Sequence, residues 1–329
     1  MSEEKNYFAK GVEWPVIGFM AVVHIVPVVL CILYPSWPGV VSFLILYLIT
    51  GLGVTIGYHR KLTHSSFDSP MWVNKVLAVM GLLSGEGPPV FWVALHRKHH
   101  KFSDLEGDPH SPITDNFWWA HMLWIFPKQH KVKLGALYGK WAPDLVKVPF
   151  YQFLEKSYFF WHLGLLAIVY GTGYYYGLHF SEAHSASYMA MSFVAWGFFF
   201  RMIWVLHATW MVNSASHIWG YKNYKTTDES RNNPVVAVLA YGEGWHNNHH
   251  YTQSAVNHGH RWWEFDVSFV VIMLFAVLSY PLKWVGLGKY RLAYRLRFYN
   301  HKEGKLKTWF PRKKDKKVKK VKKVLSGSV

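Results

Sequence analysis

Four long apolar runs restrict this chain to a membrane fold. They cover about residues 14–34, 38–57, 158–178 and 188–208. Each is long enough to cross a bilayer as a helix, because about 20 residues rising about 1.5 Å each span about 30 Å of hydrocarbon. The connections 35–37 and 179–187 are short, so the runs pair off. The sequence therefore predicts an all-α integral membrane protein with four transmembrane helices arranged as two hairpins.

Two further apolar segments are predicted not to cross the membrane. Residues 71–95 are interrupted by Gly85-Glu86-Gly87-Pro88-Pro89, which breaks the helix before it reaches spanning length. The run Val267–Tyr280 is also too short for a span. We expect the first segment to form helices in or below the membrane interface.

The distribution of basic residues sets the predicted orientation. The formal net charge is +17, yet the two short outer loops, 35–37 and 179–187, contain no Lys or Arg. With four spans, all 36 Lys and Arg residues except Arg201 fall on one side, and the positive-inside rule makes that side, with both termini, cytoplasmic. We assign residues 1–300 to a single membrane domain and residues 301–329 to a basic tail that we expect to be disordered. The membrane spans argue against a nucleic-acid partner.

Three histidine clusters lie beyond the apolar runs. They are His59 with His64, His96 with His99 and His100, and His246 with His249 and His250. Histidines at i, i+3 and i+4 share one helical face, and imidazole is the commonest protein ligand for transition metals. Since one cluster supplies only part of a coordination sphere, eight histidines suggest more than one metal ion. The carboxylates of residues 103–110 are candidates for further ligands or for acceptors that hold imidazole N–H groups.

Three kinds of protein share such clusters. A metal transporter carries its histidines within the bilayer, whereas here they gather past the helix ends. A zinc hydrolase usually contains an HExxH motif, which this sequence lacks. Many imidazoles without thiolates suit redox-active iron that activates O2. Cys31 is the only cysteine, which excludes a Cys-ligated iron–sulfur cluster, so electrons must come from another protein.

The complete motif set resembles the integral-membrane fatty acyl desaturases, and most of all their Δ9 stearoyl-CoA type. The resemblance covers about residues 52–263 and includes the HxxxxH, HxxHH and HxxHH clusters, Asp108-Pro109-His110, and the strings that begin at Gly51, Thr209 and Gly242. It implies a cytoplasmic helical cap that holds two non-heme iron ions. The implied ligands are His59, His64, His96, His99, His100, His217, His246, His249 and His250, with Asn213 acting through water. The residue pattern alone does not single out His217.

The resemblance also implies the reaction. Trp92, Thr209 and Trp210 would line a bent acyl tunnel beside the irons. An external carrier, cytochrome b5 or a ferredoxin, would supply electrons for O2 activation, and one hydrogen would leave C9 and one C10 of a saturated chain. The substrate would be a fatty acyl-CoA or an acyl lipid. Two alternatives stay open: a membrane di-iron fatty acid or alkane hydroxylase, and a histidine-rich metal-binding or transport protein.

Some features depart from the usual animal form of the family. The interior of the first cluster, Arg60-Lys61-Leu62-Thr63, and the linker 84–89 are closer to bacterial or plant relatives, and no heme-binding HPGG string is present. We therefore expect a multi-pass protein of a bacterial inner membrane, with the endoplasmic reticulum as the alternative. The acyl carrier, whether CoA, a glycerolipid or an acyl carrier protein, stays open.

Overall fold

The protein is mostly helical, with one short β-hairpin near its C-terminus. The computed structural model describes residues 7–128, 131–285, 287–288 and 291–310. The first helices are α1 Trp14–Leu33, α2 Trp37–Leu52, the π-helix π1 Gly53–Thr63, α3 Met71–Leu82, α4 Pro89–Phe102, α5 Phe117–His121, a 3₁₀ turn Leu123–Ile125, α6 Lys131–Trp141 and α7 Pro143–Val146. There follow α8 Pro149–Phe180, α9 Ala186–Phe193, the π-helix π2 Val194–Phe200, α10 Arg201–Asn213, α11 Ala215–Ile218, α12 Pro234–Leu239, α13 His246–Tyr251, α14 Val267–Leu278 and a 3₁₀ turn Tyr280–Lys283.

Within the described residues, three helical stretches are long and apolar enough to cross a membrane. They are residues 14–33, 37–63 and 186–218, and they contain the first, second and fourth predicted spans. The third predicted span, 158–178, lies within the 32-residue helix α8, which packs along α9. This helix is not among the three, because its tyrosines, glycines and histidines dilute its hydropathy. The helix boundaries support the short first hairpin, in which Ser36 caps α2 by accepting a bond from Gly39 N–H.

The segment 71–95 is broken as predicted. Helix α3 ends at Leu82 and α4 begins at Pro89, and the turn between them is anchored by a side chain from the fourth predicted span. Arg201 is fully buried and donates hydrogen bonds to the carbonyl oxygens of Leu83 (2.6 Å) and Ser84 (3.3 Å). A buried guanidinium requires acceptors of this kind, because its donors are costly to leave unmade. Arg201, the only Lys or Arg within the four predicted spans, thus anchors the C-terminal end of α3.

The short helix α14 packs against the end of α2, against π1 and against α3. Its Ile272 belongs to a buried cluster with Leu52, Ile56, Leu77 and Tyr241. Asp266 caps the helix by accepting a bond from Phe269 N–H. At 12 residues α14 is about 18 Å long, which agrees with the prediction that this segment is too short to span.

The C-terminal hairpin corrects the predicted start of the tail. Strands β1 Leu296–Asn300 and β2 Lys305–Trp309 pair antiparallel, so residues 301–310 belong to the folded part. Phe298 stacks on Trp309 with ring centroids 4.0 Å apart, and this cross-strand aromatic contact outweighs the lysines that made the segment look disordered. Most of the predicted tail, residues 311–329, lies outside the described residues.

Candidate metal centre

The nine histidines predicted as ligands lie in two adjacent groups. In each group one ring nitrogen per residue lies within 4.8 Å of the others. Group A consists of His59, His64, His96, His100 and His249. Group B consists of His99, His217, His246 and His250. Both α4 and α13 contribute to both groups, which places the groups side by side.

The π-helix at the end of α2 explains the HxxxxH spacing. In an α-helix, residues five apart point about 140° away from each other. In π1 the backbone N–H of His64 instead donates to the carbonyl of His59 at 3.2 Å, so the turn is one residue wider. The two imidazole centroids are 4.8 Å apart as a result. Two histidines in an HxxxxH motif therefore point apart in an α-helix but lie close together in a π-helix.

Close packing against α3 fixes the position of π1. A Cβ placed on Gly57 would lie 2.7 Å from the carbonyl oxygen of Leu77, and one on Gly53 would lie 2.2 Å from the backbone nitrogen of Gly81. Only glycine allows the two helix backbones to approach this closely. The first histidine of group A is thus held by backbone contact two residues away.

Ring nitrogens in both groups approach at distances typical of shared coordination. His59 Nε2 lies 3.0 Å from His249 Nε2, and His246 Nε2 lies 3.0 Å from His217 Nε2. Neighbouring ligands of one ion at about 2.1 Å lie about 3.0 Å apart when they subtend a right angle. The Nε2 atoms of His64, His99 and His250 are buried and have no hydrogen-bond partner among the described residues. Most buried polar atoms have a hydrogen-bond partner, so a bound metal ion would account for these unpaired nitrogens.

Carboxylates determine which nitrogen of several rings faces the centre. The Nδ1 atoms of four predicted ligands each lie within hydrogen-bond distance of an acidic side chain. The pairs are His59 with Glu243 (2.6 Å), His99 with Asp108 (2.9 Å), His217 with Asp104 (2.8 Å) and His250 with Asp228 (2.6 Å). A carboxylate that accepts the Nδ1 proton leaves the Nε2 lone pair free for a metal. Asp104 and Asp108 come from the segment predicted to supply such acceptors.

Electrostatics keep most of these rings neutral and the carboxylates ionised. Burial and neighbouring imidazoles hold the pKa of His64, His96, His100, His246 and His249 well below the ordinary value. Burial alone would raise the pKa of Glu243, but His59, His258 and Arg60 outweigh it and lower that pKa far more. A neutral imidazole next to an ionised acceptor is the form that binds a cation.

Two of the orienting carboxylates were not singled out from the sequence. Glu243 stands three residues before His246, and besides His59 it contacts the guanidinium of Arg60 at 3.1 Å and Nδ1 of His258 at 3.1 Å. The signal in the sequence that could have identified Glu243 is its position in the motif that begins at Gly242. Asp228 lies in a loop without a motif, and its side chain also accepts a bond from Ser230 N–H at 3.1 Å. Nothing in the local sequence distinguishes it from a solvated loop acid.

An apolar cavity adjoins the two groups. Its lining includes His59, His96 and His246, which are the first histidines of the three clusters, together with Asn213. Of the predicted substrate residues, Trp92 and Thr209 line this cavity, whereas Trp210 does not. A second cavity shares Trp92, Thr209 and Asn213 with the first, and Trp210 lines it. The predicted substrate residues therefore lie around two neighbouring cavities.

Comparisons with known proteins agree with this arrangement. The sn-1 stearoyl-lipid 9-desaturase of Anabaena variabilis is 41% identical over 246 residues, which cover 74% of this chain and 83% of that protein. The Delta-9 acyl-lipid desaturase 2 of Arabidopsis thaliana is 38% identical over 247 residues, which cover 75% of this chain and 74% of that protein. The acyl-CoA 5-desaturase of Anemone leveillei is 39% identical over 255 residues, which cover 76% of this chain and 74% of that protein.

The family model for fatty acid desaturases matches residues 35–266, a range that contains every histidine of groups A and B. The apolar helices, the buried imidazoles and these likenesses lead to one assignment. The chain is a membrane-bound oxidoreductase that belongs to the fatty acid desaturase family.

Proposed function

We propose that the protein introduces a cis double bond, at the Δ9 position, into a saturated acyl chain in a reaction that consumes O2. The observation that carries the proposal is that two imidazole groups adjoin one apolar cavity. An unactivated methylene offers no acidic proton and no polar handle. Its oxidation therefore requires redox chemistry beside a site that fixes the chain by shape.

Two iron ions fit the donor sets. Group A offers five imidazole nitrogens, and group B offers four, with Asn213 on the cavity wall beside His246 as a further polar side chain. Imidazole without thiolate suits iron that reacts with O2. Iron bound here would supply the electron-transfer steps that reduce O2 and oxidise a CH2–CH2 unit. The remaining work is positional and belongs to the protein.

The cavity walls are rigid where they approach the imidazoles. Trp92 stacks on His96 with ring centroids 4.8 Å apart. Its indole N–H donates to Glu86 at 2.9 Å, and the hydroxyl of Thr209 donates to the same carboxyl group at 2.7 Å. Glu86 thus fixes one tunnel residue on α4 and another on α10. A chain lying against both would present the same methylene pair to the imidazole groups each time.

The far end of the cavity sets a limit on chain length. Tyr47 lines the cavity and donates its hydroxyl to the carbonyl of Leu239. It stands twelve residues before His59 on one continuous helix, or about 18 Å along the axis. Its ring contacts that of Tyr241, with centroids 5.1 Å apart. The methyl end of the acyl chain would lie against this tyrosine pair.

The opposite end opens towards basic side chains. A third cavity shares Leu95 and Trp124 with the second cavity, and its lining includes Lys10, Lys98, Lys128 and Lys140. Four ammonium groups outnumber the two acidic side chains of this cavity, Glu106 and Asp108, and Asp108 is engaged by His99. The mouth suits a phosphate-bearing head group such as CoA or an anionic glycerolipid. We propose one of these carriers.

We also propose the four-span topology with both termini in the cytoplasm of a bacterial cell. Helix α8 would be the third span, since it is long enough and contains no Lys, Arg, Asp or Glu between residues 158 and 178. The outer loops 35–37 and 179–187 contain no Lys or Arg, which supports this orientation. The donor of electrons would be a separate protein, cytochrome b5 or a ferredoxin.

The test is expression in a host that lacks unsaturated lipids. Lipid analysis should find a new double bond between C9 and C10, and should show which head group carries the chain. A product that has gained an oxygen atom instead of losing two hydrogens would identify a hydroxylase. Purified protein should contain about two iron ions per chain.

A further inference from the structure

An aromatic pair, Tyr224 and Tyr251, lies next to the third histidine cluster and does not line the acyl cavity. The first histidine of each cluster lines the cavity, whereas the last ones, His64, His100 and His250, do not. The residue after His250 is Tyr251, which is 48% exposed. This tyrosine therefore connects the surface with a ligand of group B through the backbone of one helix.

Tyr251 forms a stacked pair with Tyr224. Their ring centroids are 4.2 Å apart and the planes differ by 7°. The backbone N–H groups of Asn223 and Tyr224 both donate to the side chain of Asn247 at 2.8 Å, and Asn247 donates in return to the carbonyl of Tyr224 at 3.0 Å. Nδ1 of His260 lies 3.0 Å from the hydroxyl of Tyr224. The pair is therefore fixed to α13, the helix that bears the third histidine cluster.

Cations surround this tyrosine pair. Lys225, Arg261 and Lys302 are exposed, and none of them makes an ion pair within the part of the chain that the structure describes. An open cavity next to the pair is lined by Tyr224, Arg261 and Lys302, together with Trp262, which is 95% exposed. Nearby acids are already engaged: Glu229 bonds to Lys222 and Arg231, and Glu303 bonds to Lys307. The surface thus combines exposed cations with exposed aromatic side chains.

We propose that this surface, the Tyr224–Tyr251 pair with Lys225, Arg261, Lys302 and Trp262, is the docking site for an acidic electron-transfer protein. The inference rests on the proposed function, because only an enzyme that reduces O2 needs such a donor. Unpaired basic groups steer an acidic partner, and exposed aromatic side chains supply contact area. The surface lies away from the acyl cavity, so a docked protein would not obstruct the substrate.

The experiment compares two double variants with equal charge change. Arg261→Glu/Lys302→Glu alters the proposed surface. Lys147→Glu/Lys156→Glu alters two exposed lysines between α7 and the first turns of α8, on another part of the protein. Each full-length protein is reconstituted in phosphatidylcholine nanodiscs, and its binding to an acidic [2Fe–2S] ferredoxin and to the soluble domain of cytochrome b5 is measured at low and high salt.

We expect the first variant to lose at least about tenfold in affinity for the carrier at low salt, and the difference to shrink at high salt. The control should bind as the unmodified protein does. Desaturation driven by dithionite with methyl viologen should be equal in all three proteins, as should the iron content. Carrier-driven desaturation should fall only in the first variant.

Three results would overturn the proposal. The first is equal carrier affinity in both variants, and the second is the absence of salt-dependent binding of either carrier to the unmodified protein. The third is a difference that develops only when phosphatidylglycerol is added, which would mean that the surface contacts lipid head groups. Failure of the proposed function looks different, because dithionite would then produce no double bond even in the unmodified protein.

Discussion

Groups A and B hold their histidines by different means. In group B three of the four rings, His99, His217 and His250, are oriented by an aspartate. Among the described residues, His59 is the only member of group A with a carboxylate at its Nδ1. The remaining rings of group A are placed by their helices: His64 directly follows π1, whose glycines pack against the backbone of α3, and the other three stand on α4 and α13. One group therefore depends on side-chain electrostatics and the other on the packing of helix backbones.

This difference has a chemical consequence. A carboxylate that accepts the Nδ1 proton makes an imidazole a stronger donor towards a metal. Group B has fewer imidazoles, but a carboxylate makes three of its four rings stronger metal donors. Group A has five imidazoles, of which one has such a carboxylate partner among the described residues. The two metal positions are thus expected to differ in affinity and in redox potential, although each is built almost entirely of histidine.

The largest expected effect is the removal of a ligand. His99→Ala leaves group B with three imidazoles and leaves Asp108 as a buried carboxylate without its ring partner. We expect desaturation to fall below detection and one of two irons to be lost, while the protein still inserts into the membrane. Iron per chain and turnover measure this, and a variant with full activity would remove His99 from the centre.

A smaller effect is expected from the orienting carboxylates, and it tests the comparison directly. Asp228→Asn should weaken metal binding by about 10-fold to 100-fold, because the amide no longer accepts the proton of His250 as a charged group. Glu243→Gln should act on group A instead, through His59. Mössbauer spectra of ⁵⁷Fe-loaded protein should show a different iron signal changed in each variant. If both variants perturb the same signal, the division into two groups is wrong.

The packing of π1 provides the third test. Gly57→Ala places a methyl group 2.7 Å from the carbonyl oxygen of Leu77, and overpacking of this kind costs about 1–3 kcal/mol. We expect a lower Tm and partial loss of the group A metal. Gly164→Ala in α8 is the matched control, since nothing lies within 4 Å of its added methyl group. Equal melting temperatures for the two variants would show that π1 is not held by this contact.

The smallest effect concerns pH, measured on the metal-free protein. Five histidines with lowered pKa bind protons more readily when unfolded, so their stabilisation is complete above about pH 6.5 and declines as the pH falls below that value. His99 acts in the opposite sense, because Asp108 outweighs burial and raises its pKa. Asp108, Asp228 and Glu243 have a lowered pKa, so their contribution to the free energy of unfolding is lost only below about pH 4.

We therefore expect Tm to fall by a few degrees between pH 7.5 and 5.5. A Tm that is constant or rises over this interval would contradict the assignment of neutral rings. Raising the ionic strength should change the result little, because the groups concerned are buried.

Much of the site could be predicted from the sequence because its chemistry is local. The i, i+3, i+4 spacing at His96 and His246 needs only a single helix to bring rings to one face. His59 and His64 required a π-turn, whose hydrogen bonds no local pattern reveals. His217 was found only through the family resemblance, since a lone histidine after a helix break carries no spacing. Asp228 reaches His250 through a loop, and such a contact depends on the whole fold.

The fold shows the same limit. Apolar length predicted four spans; α1, α2 and α9–α10 are long and apolar enough to cross a membrane, whereas aromatic and small residues dilute the hydropathy of α8, which contains the remaining predicted span. The hairpin at residues 296–309 was missed because its lysines suggested a disordered tail, while the Phe298–Trp309 contact that stabilises it spans the turn.

The order of the ligands along the chain bears on biosynthesis. A nascent chain in which His246 has not yet been synthesised contains four histidines of group A but only His99 and His217 of group B. Neither pocket can close before α13 has been synthesised and has folded back onto helices made much earlier. Metal insertion would then have to follow the synthesis of α13, and a ribosome that stalls before residue 246 would leave a membrane-embedded chain with both histidine groups incomplete.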